Sequence, residues 1–157
     1  MELYIVLCVI VLAMVYVAYN YFKIKKMDEG TAEMAEMAGI IRSGAAEFLK
    51  TEFKTITIVV LLVAAVFTLF IEKTSGITFV MGSLMSSAVC ILGMSSATYA
   101  NVRTANKSRE SLSIGETVKV ALCGGSISGL SVQAFGMLGM VLVLIILLVA
   151  LHKKENR

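Results

Sequence analysis

The chain has 157 residues, and 58% of them are hydrophobic, where soluble domains hold about 45–50%. Its 14 basic and 11 acidic residues leave a net charge of +3, too small a surplus to call for a nucleic-acid partner. A soluble enzyme and a nucleic-acid-binding module are thereby excluded, and an all-α membrane protein is predicted.

Charge is absent over four long stretches: 20 residues after Glu2, 17 after Lys54, 29 after Lys73 and 33 after Lys119. A hydrocarbon core about 30 Å thick needs roughly 20 apolar residues in a helix, with about 17 as the low end. Four transmembrane helices are therefore predicted, at residues 3–22, 55–71, 77–102 and 118–151. The last is too short for two crossings and is read as one long helix. The first lacks a basic leading region and a small-residue cleavage site before Lys23, so it reads as a span and not as a signal peptide. Neither Pro nor Trp is present; Tyr4, Tyr16, Tyr19 and Tyr21 are the candidate interfacial anchors.

After the basic turn YFKIKKMDEG, Thr31 is a candidate N-cap. Residues 31–54 read as an amphipathic helix, with Met34, Met37, Ile41, Ala45 and Phe48 recurring at three- and four-residue steps. No breaker separates it from the second span, so one continuous helix is expected. A helix lying flat on the lipid is the alternative. EKTSG, residues 72–76, is the expected outer loop. A short link near residues 106–112 precedes SIGE, residues 113–116, a capping-box pattern that opens the fourth helix. Ten basic residues fall on the side of the first turn and this link, and four on the other. The positive-inside rule then places the first group in the cytoplasm and both termini outside. The expected location is a prokaryotic plasma membrane.

Spans three and four are rich in small residues. Gly82, Ser86 and Cys90 share one helix face, and Gly125 and Gly129 form a GxxxG pattern. In lipid, small residues let helices approach, so helix packing is the expected role of Gly82, Ser86, Gly125 and Gly129. Gln133, with Ser126, Ser128 and Ser131, is expected to hydrogen-bond a neighbouring helix; lining an ion path is the weaker alternative, since the spans hold no ionisable group. GGSISG lacks the Lys and spacing of a phosphate loop. Cys8, Cys90 and Cys123 have no metal-like spacing, and His152 sits at a helix end beside a basic tail. With one Asp, Asp28, in the whole chain, no carboxylate cage for Mg²⁺ and phosphate is expected. No catalytic residue, cofactor site or metal site is assigned.

GMSSATYANVRT, residues 93–104, resembles the end of the third transmembrane helix of the membrane-bound, ion-pumping inorganic pyrophosphatases, whose pattern there is approximately G-M-x-x-A-T-x-A-N-x-R-T. The flanks resemble the same family: IIRSGAAEFLKTEFKTI at 40–56, FVMGSLMSSAVCILGM at 79–94 and GGSISGLSVQAFGMLGM at 124–140. The resemblance covers about residues 30–150. It implies a complete protein that is a homodimer of about sixteen helices per subunit, hydrolysing Mg²⁺-pyrophosphate and moving H⁺ or Na⁺. The family's Asp-rich substrate motifs, catalytic Lys residues and gate carboxylates lie on later helices, so none is carried onto this chain. The chain is then expected to be a non-catalytic N-terminal quarter, embedded in lipid beside the pump's remaining helices. A stand-alone four-helix scaffold or assembly protein is the alternative, and an independent small channel is weakened by the uncharged spans. Asn101, Arg103 and Thr104, where helix three leaves the membrane, read either as a generic interfacial cap or as an inter-helix clamp.

Overall fold

Four long helices with two-residue or six-residue links make up the chain in a computed structural model that describes residues 2–155. They are α1 (Glu2–Lys25), α2 (Ala32–Phe70), α3 (Lys73–Ser111) and α4 (Ile114–Glu155). Each carries a window long and apolar enough to cross a membrane. Of the basic tail, Arg157 and the side chains of Lys153 and Lys154 lie outside the description.

The amphipathic segment and the second apolar stretch are one helix of 39 residues, about 58 Å long at 1.5 Å per residue. That exceeds the hydrocarbon thickness, so α2 overhangs the membrane at its N-terminal end. Thr31 caps it: the Thr31 hydroxyl accepts from the Met34 N–H at 3.3 Å. Thr31 thus satisfies one of the amide groups that a helix start leaves orphaned.

Both tight turns are shorter than the sequence suggests. Between α2 and α3 only Ile71 and Glu72 are non-helical. The amides of both bond back to the Phe67 carbonyl, at 3.0 and 3.1 Å, which closes α2 without a longer loop. Most of the expected EKTSG loop is therefore the first turn of α3. Gly76 is the reason this fits. It is buried against α2, and a Cβ there would collide with Thr68 Oγ1 and the Ala64 carbonyl. Between α3 and α4, Leu112 takes a left-handed conformation with φ 49°, and only Leu112 and Ser113 lie outside helices. The capping box at 113–116 does not close. Glu116 turns instead to Lys107 Nζ at 3.0 Å, and the Ser113 amide donates to Ser111 Oγ at 3.4 Å.

The helices stand in the order α2, α3, α4, α1. α3 packs on both α2 and α4, α1 packs on α4 and touches α3, and among the described residues α2 packs on neither α1 nor α4. The result is an open layer. Its core runs along α4 at Val120, Gly124, Ile127, Ser131, Ala134 and Val141, a spacing of three, four and seven that keeps one stripe facing inward. Ile10, Val17 and Ile24 of α1 recur every seven residues against it. Polar pins sit in this seam: Asn20 Nδ2 donates to Ser126 Oγ at 3.4 Å, and Cys123 Sγ donates to Asn20 Oδ1 at 3.3 Å.

Helices α3 and α4 approach closely at Gly124. Ser96 Oγ donates to its carbonyl at 3.0 Å, and a Cβ on Gly124 would stand 2.5 Å from the Cβ of Ala100. Gly125, next to it, has open space around it. We expect Gly124→Ala to destabilise the chain in detergent by about 1–2 kcal/mol, overpacking outweighing the gain in helix propensity. Gly125→Ala should be neutral or up to about 1 kcal/mol stabilising. Thermal unfolding of both variants in one detergent checks this.

Candidate functional site

Arg103 is 5% exposed although it carries a permanent charge. Its position on α3 brings it under the end of α1, where the last carbonyls of a helix lack intrahelical donors. It supplies them. Arg103 Nη2 donates to the Lys25 carbonyl at 3.1 Å, Nε to the Met27 carbonyl at 2.9 Å, and Nη1 to the Tyr99 carbonyl of its own helix at 2.9 Å. Nη2 also lies 3.0 Å from Glu29 Oε1. One planar guanidinium thus bonds the end of α1, the α1–α2 link and α3, using the forked geometry that a lysine does not have.

Glu29 completes the joint. Its carboxylate accepts from both terminal nitrogens of Arg42, at 2.7 and 3.1 Å, in the bidentate pattern that makes arginine–carboxylate pairs strong. α2 is thereby fastened to the same point. Tyr99 lies beneath the cations: its ring centre is 5.1 Å from the Arg42 guanidinium carbon, 5.4 Å from that of Arg103 and 5.6 Å from Lys25 Nζ. Such contacts add about 0.5–2 kcal/mol each. The bidentate hydrogen bond from Arg42 holds the Glu29 carboxyl below the usual carboxylate range; partial burial opposes this, and the Arg103 charge adds to it. The same pair raises Arg42 above its ordinary value.

A second buried group supports the link. Asn106 is 2% exposed and sits against Gly30. A Cβ on Gly30 would come within 2.6 Å of Asn106 Oδ1, and Gly30 has φ +95°, a conformation that glycine tolerates. Asn106 Oδ1 accepts from Arg109 at 2.9 Å, and its Nδ2 donates to Glu110 at 3.1 Å. Asp28 accepts from the Gly30 amide at 3.1 Å and closes the turn.

Of the residues singled out in the sequence, Arg103 reaches other segments, whereas Thr104 bonds the Ala100 carbonyl of its own helix at 2.8 Å. Asn101 is exposed and lines a cleft with Ile41, Thr98 and Gly125. Gly82 and Ser86 lie on an open apolar groove of about 720 Å³ between α3 and α4, faced by Gly136 and Gly139. Gly125, Gly129 and Gln133 share an exposed face of α4. Ser131 is buried, with no hydrogen-bond partner for its hydroxyl among the described residues. Glu29, Arg42, Tyr99 and Asn106 escaped sequence reading. The one available signal was the spacing of Tyr99 and Arg103, four apart on one face.

These residues do not fit a Mg²⁺ cage. Among the described residues no three His, Cys, Asp or Glu side chains come together. Glu29 is held by two arginines, Glu116 by Lys107 and Glu110 by Asn106. The arrangement is a mechanical joint.

Arg103→Ala should therefore cost about 3 kcal/mol or more, because it leaves the Lys25 and Met27 carbonyls without their donors and removes one of the two arginines on Glu29; Arg103→Lys should recover only part of that. Because the Glu29 carboxyl titrates lower in the folded chain, its stabilisation is complete above the ordinary glutamate range. It starts to fall as pH drops through that range and is gone below the lowered native value. Glu29→Gln should be less stable at neutral pH and lose this acid-induced decline. Unfolding midpoints measured against pH read both effects.

With this geometry in place, the likeness to known proteins is informative. Residues 11–156 match the family described as inorganic H⁺ pyrophosphatase. The chain is 42% identical over 134 residues to a K⁺-stimulated pyrophosphate-energised sodium pump of Thermotoga maritima, covering 85% of this chain and 18% of the pump. It is 35% identical to a putative pump of the same kind from Clostridium tetani, over 83% of this chain and 19% of that protein. It is 34% identical to K⁺-insensitive pyrophosphate-energised proton pump 2 of Moorella thermoacetica, over 82% and 19%. The chain thus spans somewhat less than the quarter expected of such relatives, and the match begins earlier than residue 30, within α1. A family match over nearly the whole chain and 42% identity to a sodium pump mean that this four-helix layer belongs to the inorganic H⁺ pyrophosphatase family.

Proposed function

We propose that the chain is a non-catalytic membrane segment of a pyrophosphate-energised proton or sodium pump, acting as structural wall for helices that do the chemistry. One observation carries this reading. Glu29, Glu110 and Glu116, at the end where the α1–α2 and α3–α4 links lie, are already bonded to cations or an amide. Hydrolysis of a phosphoanhydride needs several carboxylates free to hold metal against phosphate. Mg²⁺ and pyrophosphate are then handled elsewhere in the complete assembly.

The exposed small-residue faces support the same role. The groove bearing Gly82, Ser86, Gly136 and Gly139, and the Gly125–Gln133 face, are open among the described residues. Faces of this kind accept further helices in lipid, and the remaining helices of the pump are the proposed occupants. The basic-residue count supports a cytoplasmic position for the Arg103 end, and the organisms of the relatives support a prokaryotic plasma membrane.

Purified chain in liposomes, given Mg²⁺ and pyrophosphate, should release no phosphate above a protein-free control. Grafted in place of the matching segment of the Thermotoga maritima pump, it should support pyrophosphate-dependent Na⁺ uptake. Phosphate release by the chain alone, or a folded but inactive graft, overturns the reading, the second in favour of a separate scaffold.

A further inference from the structure

α1 carries aromatic residues on its packed face and on its exposed face, with Phe22 edge-on to Tyr21 between them, ring centres 6.0 Å apart. Tyr21 faces inward: its hydroxyl lies 3.2 Å from Ser95 Oγ, and its ring meets Tyr99 edge-on at 6.1 Å. Tyr16, Tyr19 and Phe22 face outward, 51%, 61% and 61% exposed. Steps of three and four extend that outer stripe to Lys23 and Lys26, both exposed. At the opposite end Tyr4 is also exposed. Tyr4 and Phe22 are eighteen positions apart in the sequence, about 27 Å along a helix, close to the thickness of a hydrocarbon core of about 30 Å. The outer aromatic groups therefore mark both boundaries of the membrane on this helix.

Lysines near a helix C-terminus ordinarily complement its dipole and carbonyls. Here Arg103 already occupies the Lys25 and Met27 carbonyls. Lys25 lies over Tyr99. Lys23 and Lys26 have no acidic side chain within ion-pair distance among the described residues, and the nearby acids are committed: Glu29 to two arginines and Asp28 to the Gly30 amide. Two uncompensated ammonium groups thus stand beside exposed rings at the level where lipid phosphates lie.

We infer that the outer face of α1 at Tyr19, Phe22, Lys23 and Lys26 is a binding site for anionic phospholipid. The rings lie among the upper acyl chains, and the lysine stems extend along them to reach the phosphate. The partner is the lipid of the bilayer and not a free anion, because half of the site is apolar and the two cations are open to solvent. The inference rests on the membrane-spanning reading of α1 and is independent of the proposed pump role.

The test uses the full chain in detergent, stripped of lipid, with native mass spectrometry to count retained phosphatidylglycerol or phosphatidylcholine. Phosphatidylglycerol should be retained preferentially. The double variant Lys23→Gln, Lys26→Gln should weaken its retention roughly tenfold to thirtyfold, whereas Lys50→Gln should leave it unchanged. Unfolding midpoints of the lipid-free variants confirm that both are folded, since neither lysine enters the packed seam. Equal retention of the two lipids, undiminished retention in the double variant, or displacement of the lipid by millimolar inorganic phosphate overturns the inference.

Discussion

Where a transmembrane helix stops, its last carbonyls must find donors, and at a membrane boundary water is an uneven supplier. The end of α1 meets this demand with Arg103 of α3, buried and bonded to the Lys25 and Met27 carbonyls. A charge in that position would be costly alone. Glu29 offsets it, and Glu29 in turn fastens Arg42 of α2. Three helices, of which α1 only touches α3, are thus tied at one point. Among the described residues α1 and α2 do not pack against each other, so this polar joint supplies what a hydrophobic seam supplies elsewhere in the layer.

The second constraint is steric. Between α3 and α4 the backbones close at Gly124, with Ser96 and Ala100 opposite. That approach sets the register that brings Arg103, seven residues on from Ser96 and so on nearly the same face, beneath α1. Ile24 of α1 fits into the same corner, 3.7 Å from the position of a Gly124 Cβ. Small-residue packing and polar joint are therefore coupled. Widening the crossing at Gly124 would move the guanidinium away from carbonyls that it reaches at 2.9–3.1 Å.

Much of this was legible in the sequence. Gaps in charge predicted the four spans, the missing breaker predicted the unbroken α2, and Thr31 predicted its start. The turns were less legible. EKTSG has the composition of a loop, yet Lys73 and the residues after it are helical because Gly76 lets α3 come close to Thr68 and Ala64. Nor does a SIGE pattern determine which group its Glu meets; here it is Lys107 Nζ, at 3.0 Å. Among amides, Gln133 lies in mid-span yet is exposed, whereas Asn20 and Asn106 are buried and bonded. Periodicity identifies which residues share a face. Only the rotation of each helix against its neighbours tells which face turns inward, and in lipid no hydrophobic difference between faces announces that rotation. Glu29 and Arg42 were illegible for a related reason: their pairing depends on a six-residue link folding back under α3.

That absence of a hydrophobic difference gives the outer surfaces their meaning. In water, an exposed apolar face signals a partner; in a bilayer it signals nothing, and side-chain volume becomes the useful distinction. α1 turns Tyr16, Tyr19 and Phe22 outward, bulky groups that hold a neighbouring helix at a distance and suit the lipid boundary. α3 and α4 turn Gly82, Gly125, Gly129 and Gly136 outward, where a helix backbone can come close. On the proposed reading, a layer with one bulky side and one glycine-lined side stands at the edge of a larger assembly: the side lined with glycine faces the helices that bind pyrophosphate, and the aromatic side faces lipid. Chemistry is then kept from this layer by its charge pairing, because a carboxylate that locks two arginines together is no longer free to hold a metal.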